Sequence, residues 1–339
     1  MIKYIGSKRA LLSAVIAAVD DGQGPTTALD AFSGTARVGH ALKARGFAVT
    51  ANDHNDYAAV LARCYLEADA EVHGAAAAEL IAALNALPPR AGWFTQTYCL
   101  DSRFFQPHNG EKVDAAREAI AAWALEPALE AVALTALMEA ADRVDSTVGV
   151  QMAFLKQWAS RSAQPLTLRV PALLPRAAAG PGRALCLDAV EAVREAKAEV
   201  VYLDPPYNQH KYLGNYHIWE SLVRWDQPAV YGAARKRVDC RDRKSAFNSK
   251  RTFGPALEAV VEAACAHARL VVLSLSAEGF ATRAAVEALL APRGALEVRS
   301  LAHPRYIGAK IGVYNAKGEK VGAEGARETT EHLFCLRPR

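Results

Sequence analysis

Apolar positions in this chain gather in short unbroken runs, the pattern of strands buried on both faces of a sheet. TTALDAFSGTARVGHALKARGFAVTANDHN predicts a strand from Thr27 to Phe32, a turn at Ser33 to Thr35 and a helix from Val38 to Arg45 closed by Gly46. A second strand, Ala48 to Ala51, ends at Asn52-Asp53. The runs ALCLDAV, EVVYLDPPY and RLVVLSLSAEGF repeat the strand signal, each ending in polar residues with helical pattern between them. That rhythm predicts an α/β fold: a mostly parallel, Rossmann-like sheet with helices on both faces, whose ligands collect at the carboxyl ends of the strands.

The pattern differs in the middle of the chain. From Tyr57 to about Pro88 it is rich in alanine and leucine with few breakers, which predicts helices up to the double proline. GWFTQTYCLDSRFFQPHNG reads as aromatic and irregular, with a helix resuming near Val113. Two further helices are expected, from Pro127 to Ala141 and from Gln151 to Ser160, followed by the proline-rich PLTLRVPALLPRAAAGPGR. These features place a mostly helical insertion at 69–180 within a sheet domain formed by 1–68 and 181–339. His303 to Gly322 alternates β-branched and aromatic residues around AKGEK and reads as a hairpin, either a plain edge or a surface on which Arg305, Tyr306 and Lys310 touch a partner.

Composition excludes some classes. With 339 residues, 51% of them hydrophobic, and a net charge of +4, neither a disordered chain nor a collagen-like fibre is tenable. No apolar run reaches the ~18 residues of a membrane span, and MIKYIGSKRALL lacks the marks of a signal peptide, so a soluble cytoplasmic protein is expected. The six cysteines are scattered singly with no CxxC pair, which predicts reduced thiols and no metal site.

The strand-turn-helix-strand unit points to a nucleoside. Backbone amides near Gly34 suit a closely approaching ligand, and an acid about 20 residues after the turn, Asp53, suits ribose hydroxyls. The Gly34 to Gly39 spacing is not GxGxxG and no triphosphate loop is present, so a nucleoside lacking a pyrophosphate fits better. Asp204-Pro205-Pro206-Tyr207 is the sharpest signal. Two prolines cannot donate to a sheet ladder and have fixed φ, so the strand stops with Asp204 exposed and the Pro205 carbonyl set in direction. Such an acceptor pair suits an aromatic exocyclic amine, whose lone pair is delocalised into its ring. If each acceptor takes one amino hydrogen, the nitrogen pyramidalises and its lone pair can attack an electrophilic methyl. Tyr207 suits stacking on an extruded base. An isolated motif of this kind also fits a capped strand end with a packing tyrosine.

KYIGSKRALL, DAFSGTARVG, DPPYNQHKYLGNYHIWESLVRWD and LSLSAEGF, in that order, resemble the D12 class (alpha-group) of adenine-N6 DNA methyltransferases, specifically the branch with the FokI-type modification enzymes. The resemblance implies a Rossmann-like methyltransferase sheet with a helical target-recognition insertion, S-adenosylmethionine as cofactor and double-stranded DNA as substrate. It implies that Tyr4, Gly6 and Lys8 cover the methionine end of the cofactor, that Asp30, Phe32, Ser33, Gly34 and Thr35 form the loop beneath it, and that Asp53 takes the ribose hydroxyls. It further implies Asp188 near the cofactor's adenine, and Asp204, Pro205 and Tyr207 at the target base. Thr35-Ala36-Arg37 departs from the glycine-rich turn of many relatives. Taken alone, Lys8 also reads as a solvated cation and Asp188 as a helix cap.

Positive charge concentrates after the DPPY segment. Arg235, Lys236, Arg237, Arg241, Arg243, Lys244, Lys250 and Arg251 outnumber Asp239 and Asp242, a phosphate-binding composition or else a solvated loop. The leading reading is a site-specific enzyme methylating adenine N6 by base flipping, with cytosine N4 as the close alternative and a catalytically silent DNA-binding relative behind it. A nicotinamide-dependent oxidoreductase lacks its glycine spacing and an obvious hydride-transfer group. Any partner nuclease would be a separate protein, and the oligomeric state is open.

Overall fold

A computed structural model of the chain describes residues 1–20, 22–24, 26–209, 211–304 and 328–339. Its strands are β1 (Thr27–Asp30), β2 (Ala48–Asn52), β3 (Arg183–Leu185), β4 (Val200–Leu203), β5 (Val230–Tyr231), β6 (Lys236–Arg237), β7 (Leu270–Ser276), β8 (Gly294–Pro304) and β9 (Glu328–Pro338). The helices before β3 are α1 (Leu12–Val19), α2 (Arg37–Ala44), α3 (Asp56–Ala62), α4 (Ala70–Ala86), α5 (Trp93–Thr95), α6 (Pro107–Ala122) and α7 (Pro127–Val144). Those after it are α8 (Ala189–Ala196), α9 (Tyr212–Asn215), α10 (His217–Arg224), α11 (Lys250–Cys265) and α12 (Arg283–Leu290).

Seven strands form one sheet in the order β3-β2-β1-β4-β7-β9-β8. The first five are parallel, and β9 runs antiparallel to both β7 and β8. Every residue of β4 and β7 is buried, which is why their sequences are continuous apolar runs. Val15, Val19, Val38, Leu42, Tyr57 and Leu61 pack in one core with Val200, Tyr202 and Val272, while Val193, Val260, Val261 and Val286 pack in a second with Val201, Leu203 and Leu273. This is the mostly parallel α/β sheet covered on both faces that the pattern predicts.

Helices α4, α6 and α7 fall between β2 and β3, and Leu134, Leu137 and Met138 of α7 share the first core with the sheet. The stretch after α7 departs from expectation. Residues 151–159 are not helical, and a short 3-10 turn, Ser160–Ala163, follows in place of the end of the expected Gln151–Ser160 helix. Tertiary partners take the groups a helix would use: Gln151 N–H donates to Asn215 O (2.8 Å), its Oε1 accepts from Ile218 N–H (2.8 Å), and Leu155 N–H donates to Ser146 O (2.9 Å). The aromatic segment expected to be irregular instead forms α5 and a continuing π-helical turn, Gln96–Leu100. Buried Asp114 organises it by accepting from the N–H groups of Gly92, Phe94 and Thr95. Of the hairpin expected at 303–322, residues 305–322 lie outside the described residues.

Candidate active site at the carboxyl ends of β1 and β4

Strand order reverses between β1 and β4, where open α/β sheets hold their ligands. A cavity of about 220 Å³ lies there. Tyr4, Gly6, Lys8, Asp30, Phe32, Ser33, Gly34, Thr35, Asp53, Asp188, Asp204, Pro206 and Lys244 all line it, so segments distant in sequence converge on one space. Asn52 ties three of the loops: its Nδ2 donates to Ala31 O and Leu187 O (both 3.2 Å), and its Oδ1 accepts from Leu187 N–H (3.0 Å).

The loop after β1 is built for a charged ligand. Asp30 is buried; its Oδ2 accepts from Gly39 N–H (3.2 Å), and its Oδ1 has no hydrogen-bond partner within the described chain. Burial, and then the nearby Asp204 charge, push the Asp30 carboxyl up to about 7. Ser33 Oγ and Arg37 Nε are also buried without partners. One acid, one hydroxyl and one guanidinium left unsatisfied around a single cavity fit the ammonium and carboxylate of an amino-acid group. Gly34 has φ +50° and donates to Asp53 Oδ2 (3.1 Å); a Cβ there would stand 3.0 Å from the Tyr4 ring. Gly6 has φ +74°, and its Cβ would meet the Tyr212 hydroxyl at 2.9 Å. The two glycines thus let the aromatic rings approach closely: Tyr4 stacks against both Tyr212 (5.3 Å) and Tyr216 (4.6 Å). In the turn that departs from the glycine-rich pattern, buried Ala36 takes the left-handed φ of +57°.

Asp204 follows the last residue of β4, as the double proline requires, with Pro205 buried and Tyr207 half-buried. Lys8 Nζ lies 2.8 Å from Asp204 Oδ1 and 2.8 Å from Glu331 Oε1. Lys8 is therefore not a solvated cation. Burial alone would lower its pKa, but the two carboxylates outweigh burial and hold it well above the ordinary lysine value. At Asp204 burial raises the pKa, Lys8 opposes it and Glu331 adds to it, leaving the carboxyl at about 6. Asp188 both caps α8, accepting from Val190 N–H (2.9 Å), and lines the cavity, so its two readings are compatible.

The basic segment divides. Arg241, Lys244, Lys250 and Arg251 are exposed, whereas Arg235 is half-buried and pairs with Asp101, and half-buried Lys236 lies against Met152 Sδ. Arg237 corrects the expectation of phosphate contact: it is 2% exposed and occupied by Asp226 and Asp239. Half-buried Arg243 likewise reaches the buried Glu220 carboxylate at 2.5 Å. That same Glu220 accepts from the N–H groups of Asp56 and Tyr57 at the start of α3.

Sequence reasoning missed Arg37, Asn52, Tyr212, Tyr216 and Glu331. The tyrosines stand inside the quoted NQHKYLGNYHIW stretch, where their spacing was visible but not their target. Glu331 carried a signal too, an acid in phase with the buried Leu333 and Cys335 along a strand.

A parallel sheet whose order reverses at β1, buried polar groups left unpaired around the cavity there and a proline-stiffened acid at the next strand end are the features expected of an S-adenosylmethionine-dependent amino-methyltransferase. The chain belongs to the D12 class N6 adenine-specific DNA methyltransferase family, whose model matches residues 4–254. It is 30% identical over 347 aligned positions to the type II methyltransferase M.NlaIII of Neisseria lactamica, covering 99% of each chain. It is 29% identical to the modification methylase StsI of Streptococcus sanguinis over 74% of this chain and 40% of that one, and 25% identical to M.FokI of Planomicrobium okeanokoites over 86% and 47%. The chain thus spans nearly all of the first relative and less than half of the other two. A SAM dependent methyltransferase structure from Agrobacterium tumefaciens aligns with 99% of this chain and 64% of its own at 11% identity, with a TM-score of 0.38, too low to bear on the fold.

The protein is accordingly an enzyme that methylates adenine N6 in DNA with S-adenosylmethionine as methyl donor, a reading these matches support over the cytosine-N4 and catalytically silent alternatives. Among the described residues no helix is long and apolar enough to cross a membrane.

Proposed function

We propose that the protein is a site-specific modification enzyme that flips adenine out of duplex DNA into the cleft beside Asp204, with Asp204, Pro205, Pro206 and Tyr207 forming the amine site. The supporting observation is the position of Asp204: it adjoins the Asp30 cradle at the strand-order reversal, tethered by Lys8 from one side. Asp30, Ser33 and Arg37 hold the amino-acid end of the cofactor, Tyr4 covers it, Asp53 takes the ribose and Asp188 lies toward the cofactor's adenine. Bound S-adenosylmethionine supplies an electrophilic methyl on a sulfonium. Asp204 and the Pro205 carbonyl accept the two N6 hydrogens, which localises the nitrogen lone pair for attack, and Tyr207 stacks on the base. The methylated nitrogen is cationic until it loses one hydrogen, and the Asp204 carboxylate receives that proton. The decisive test of this amine site is loss of methyl transfer with retained cofactor binding in Asp204→Ala.

The cofactor half of the site makes a pH-dependent prediction. Unliganded Asp30 holds its proton below about 7. A cationic ammonium beside it favours the carboxylate, so binding expels that proton. Affinity is then lower at acidic pH and rises toward neutrality, by up to about tenfold per pH unit. Calorimetry between about pH 5.5 and 7, in buffers of different ionisation enthalpy, reads both the affinity and the released proton. Asp30→Asn binds more weakly and without the proton release; equal wild-type affinity across that range would remove Asp30 from the ammonium site.

The helical segment 69–180 is proposed as the target-recognition region, and the exposed cations beyond β6 as phosphate contacts. Changing Lys244, Lys250 and Arg251 together to glutamine lowers the slope of log K against log salt by roughly 0.9 per lost contact, for specific and unrelated duplexes alike. An unchanged slope in a salt titration of fluorescence anisotropy excludes those three residues from the interface.

A further inference from the structure

Lys8 does not form a simple pair with Asp204; a second carboxylate, from the strand two places along the sheet, shares its ammonium. Glu331 sits on β9, where it accepts a short hydrogen bond from the Ser274 hydroxyl of β7. Side-chain exposure rises stepwise along the chain of charges: 2% at Glu331, 8% at Lys8, 18% at Asp204. The group that opens toward the cavity is therefore Asp204, and the group anchored in the sheet is Glu331. An ammonium facing Asp204 alone would neutralise it and compete with a substrate amine for its oxygens. Two carboxylates around one ammonium leave the set with a net negative charge, whose exposed end is Asp204.

We propose that Glu331 is a positioning residue for methyl transfer: it holds Lys8 from the sheet side and takes part of its charge, so that Asp204 remains an acceptor for the adenine amine. The inference rests on the reading of Asp204 as that acceptor. The other groups acting on Asp204 or sensing its charge are Asp30 on β1, Tyr202 on β4, Tyr207 beyond it and Tyr212 on α9. Of these only Asp30 titrates near neutrality, and it is present in every variant below.

The experiment is single-turnover transfer of labelled methyl to DNA across pH, with cofactor saturating, for wild type and Glu331→Gln. With the Glu331 charge removed, Lys8 acts on Asp204 undivided and lowers its pKa. The acid limb of the rate profile, expected near pH 6 in wild type, moves down by about one pH unit, and the plateau rate falls about tenfold as the weaker acceptor loses its hold on the amine. Cofactor affinity stays within about twofold. A folded Glu331→Gln protein with the wild-type limb and plateau overturns the proposal. If that variant does not fold, Ser274→Ala, which removes the hydroxyl that donates to Glu331, is measured instead. A plateau about threefold lower supports the proposal, and a wild-type profile overturns it. Asp204→Ala run alongside separates the two failures: activity retained there sinks the amine site itself, whereas an inactive Asp204→Ala with an unaffected Glu331→Gln sinks only the role of Glu331.

Discussion

Asp204→Ala is expected to lower single-turnover methyl transfer by about 10²–10³-fold or more while leaving S-adenosylmethionine affinity nearly unchanged. The lost acceptor acts on charge that develops in the transition state, since the amine hydrogens become acidic only as the nitrogen gives its lone pair to the methyl and turns cationic. Its removal therefore appears in the chemical step and not in cofactor binding. The Asp204 charge is one of the causes holding the Asp30 carboxyl up at about 7, so deleting it leaves the cofactor cradle more readily ionised. Asp204→Asn, which keeps one acceptor oxygen but no charge, falls between wild type and alanine. Rapid quench with labelled cofactor measures the rate, and calorimetry measures the affinity. Turnover within tenfold of wild type in Asp204→Ala would contradict the assignment.

The second large effect concerns stability. Arg237 is buried at the end of β6, donating through Nη1 and Nη2 to the two oxygens of Asp226 (2.6 and 2.7 Å) and through Nε and Nη2 to Asp239 (both 3.0 Å). Removing one side of a buried ionic cluster costs about 3–5 kcal/mol. Both aspartates are about one-third exposed and rehydrate once released, which brings the expected loss for Arg237→Ala to about 2–3 kcal/mol. Burial raises the pKa of these two acids, but Arg237 outweighs it and holds both below their ordinary values. That part of the stability is present above about pH 4 and is lost as pH falls through the depressed values, so the gap between variant and wild type narrows in acid. Denaturant unfolding at neutral and acidic pH checks both statements. The salt slope of DNA binding by the folded variant stays at the wild-type value; a reduced slope would return Arg237 to the DNA interface.

The contrast between Arg237 and Lys250 explains where sequence reading of the basic segment ended. Both are cations in one charge-rich run, and composition assigns them alike. Their difference lies in Asp226 and Asp239, whose proximity to Arg237 depends on the two-stranded ribbon of β5 and β6. Elsewhere local pattern was enough. β4 and β7 were visible because strands buried on both faces are apolar at nearly consecutive positions, and the DPPY turn was visible because two prolines end a ladder whatever surrounds them. Gln151 to Ser160 shows the converse. Its composition permits a helix, but the N–H groups of Gln151 and Leu155 donate to Asn215 and Ser146 and the Gln151 side chain accepts from Ile218, and those partners are set by tertiary packing. Glu331 was overlooked for a related reason: an acid among apolar strand positions signals a buried charge but does not name the lysine 323 residues away that neutralises it.

Because β9 inserts between β7 and β8, the sheet closes in an order different from that of synthesis. A ribosome that has released residues 1–300 has already delivered the cofactor loop, the proline turn and the stacked tyrosines. The nascent chain at that stage still exposes the β7 edge and lacks the carboxylate that steadies Lys8. Methyl transfer at its full rate is then expected only once Glu331 is in place, the reduced rate expected of Glu331→Gln standing for the site without that carboxylate.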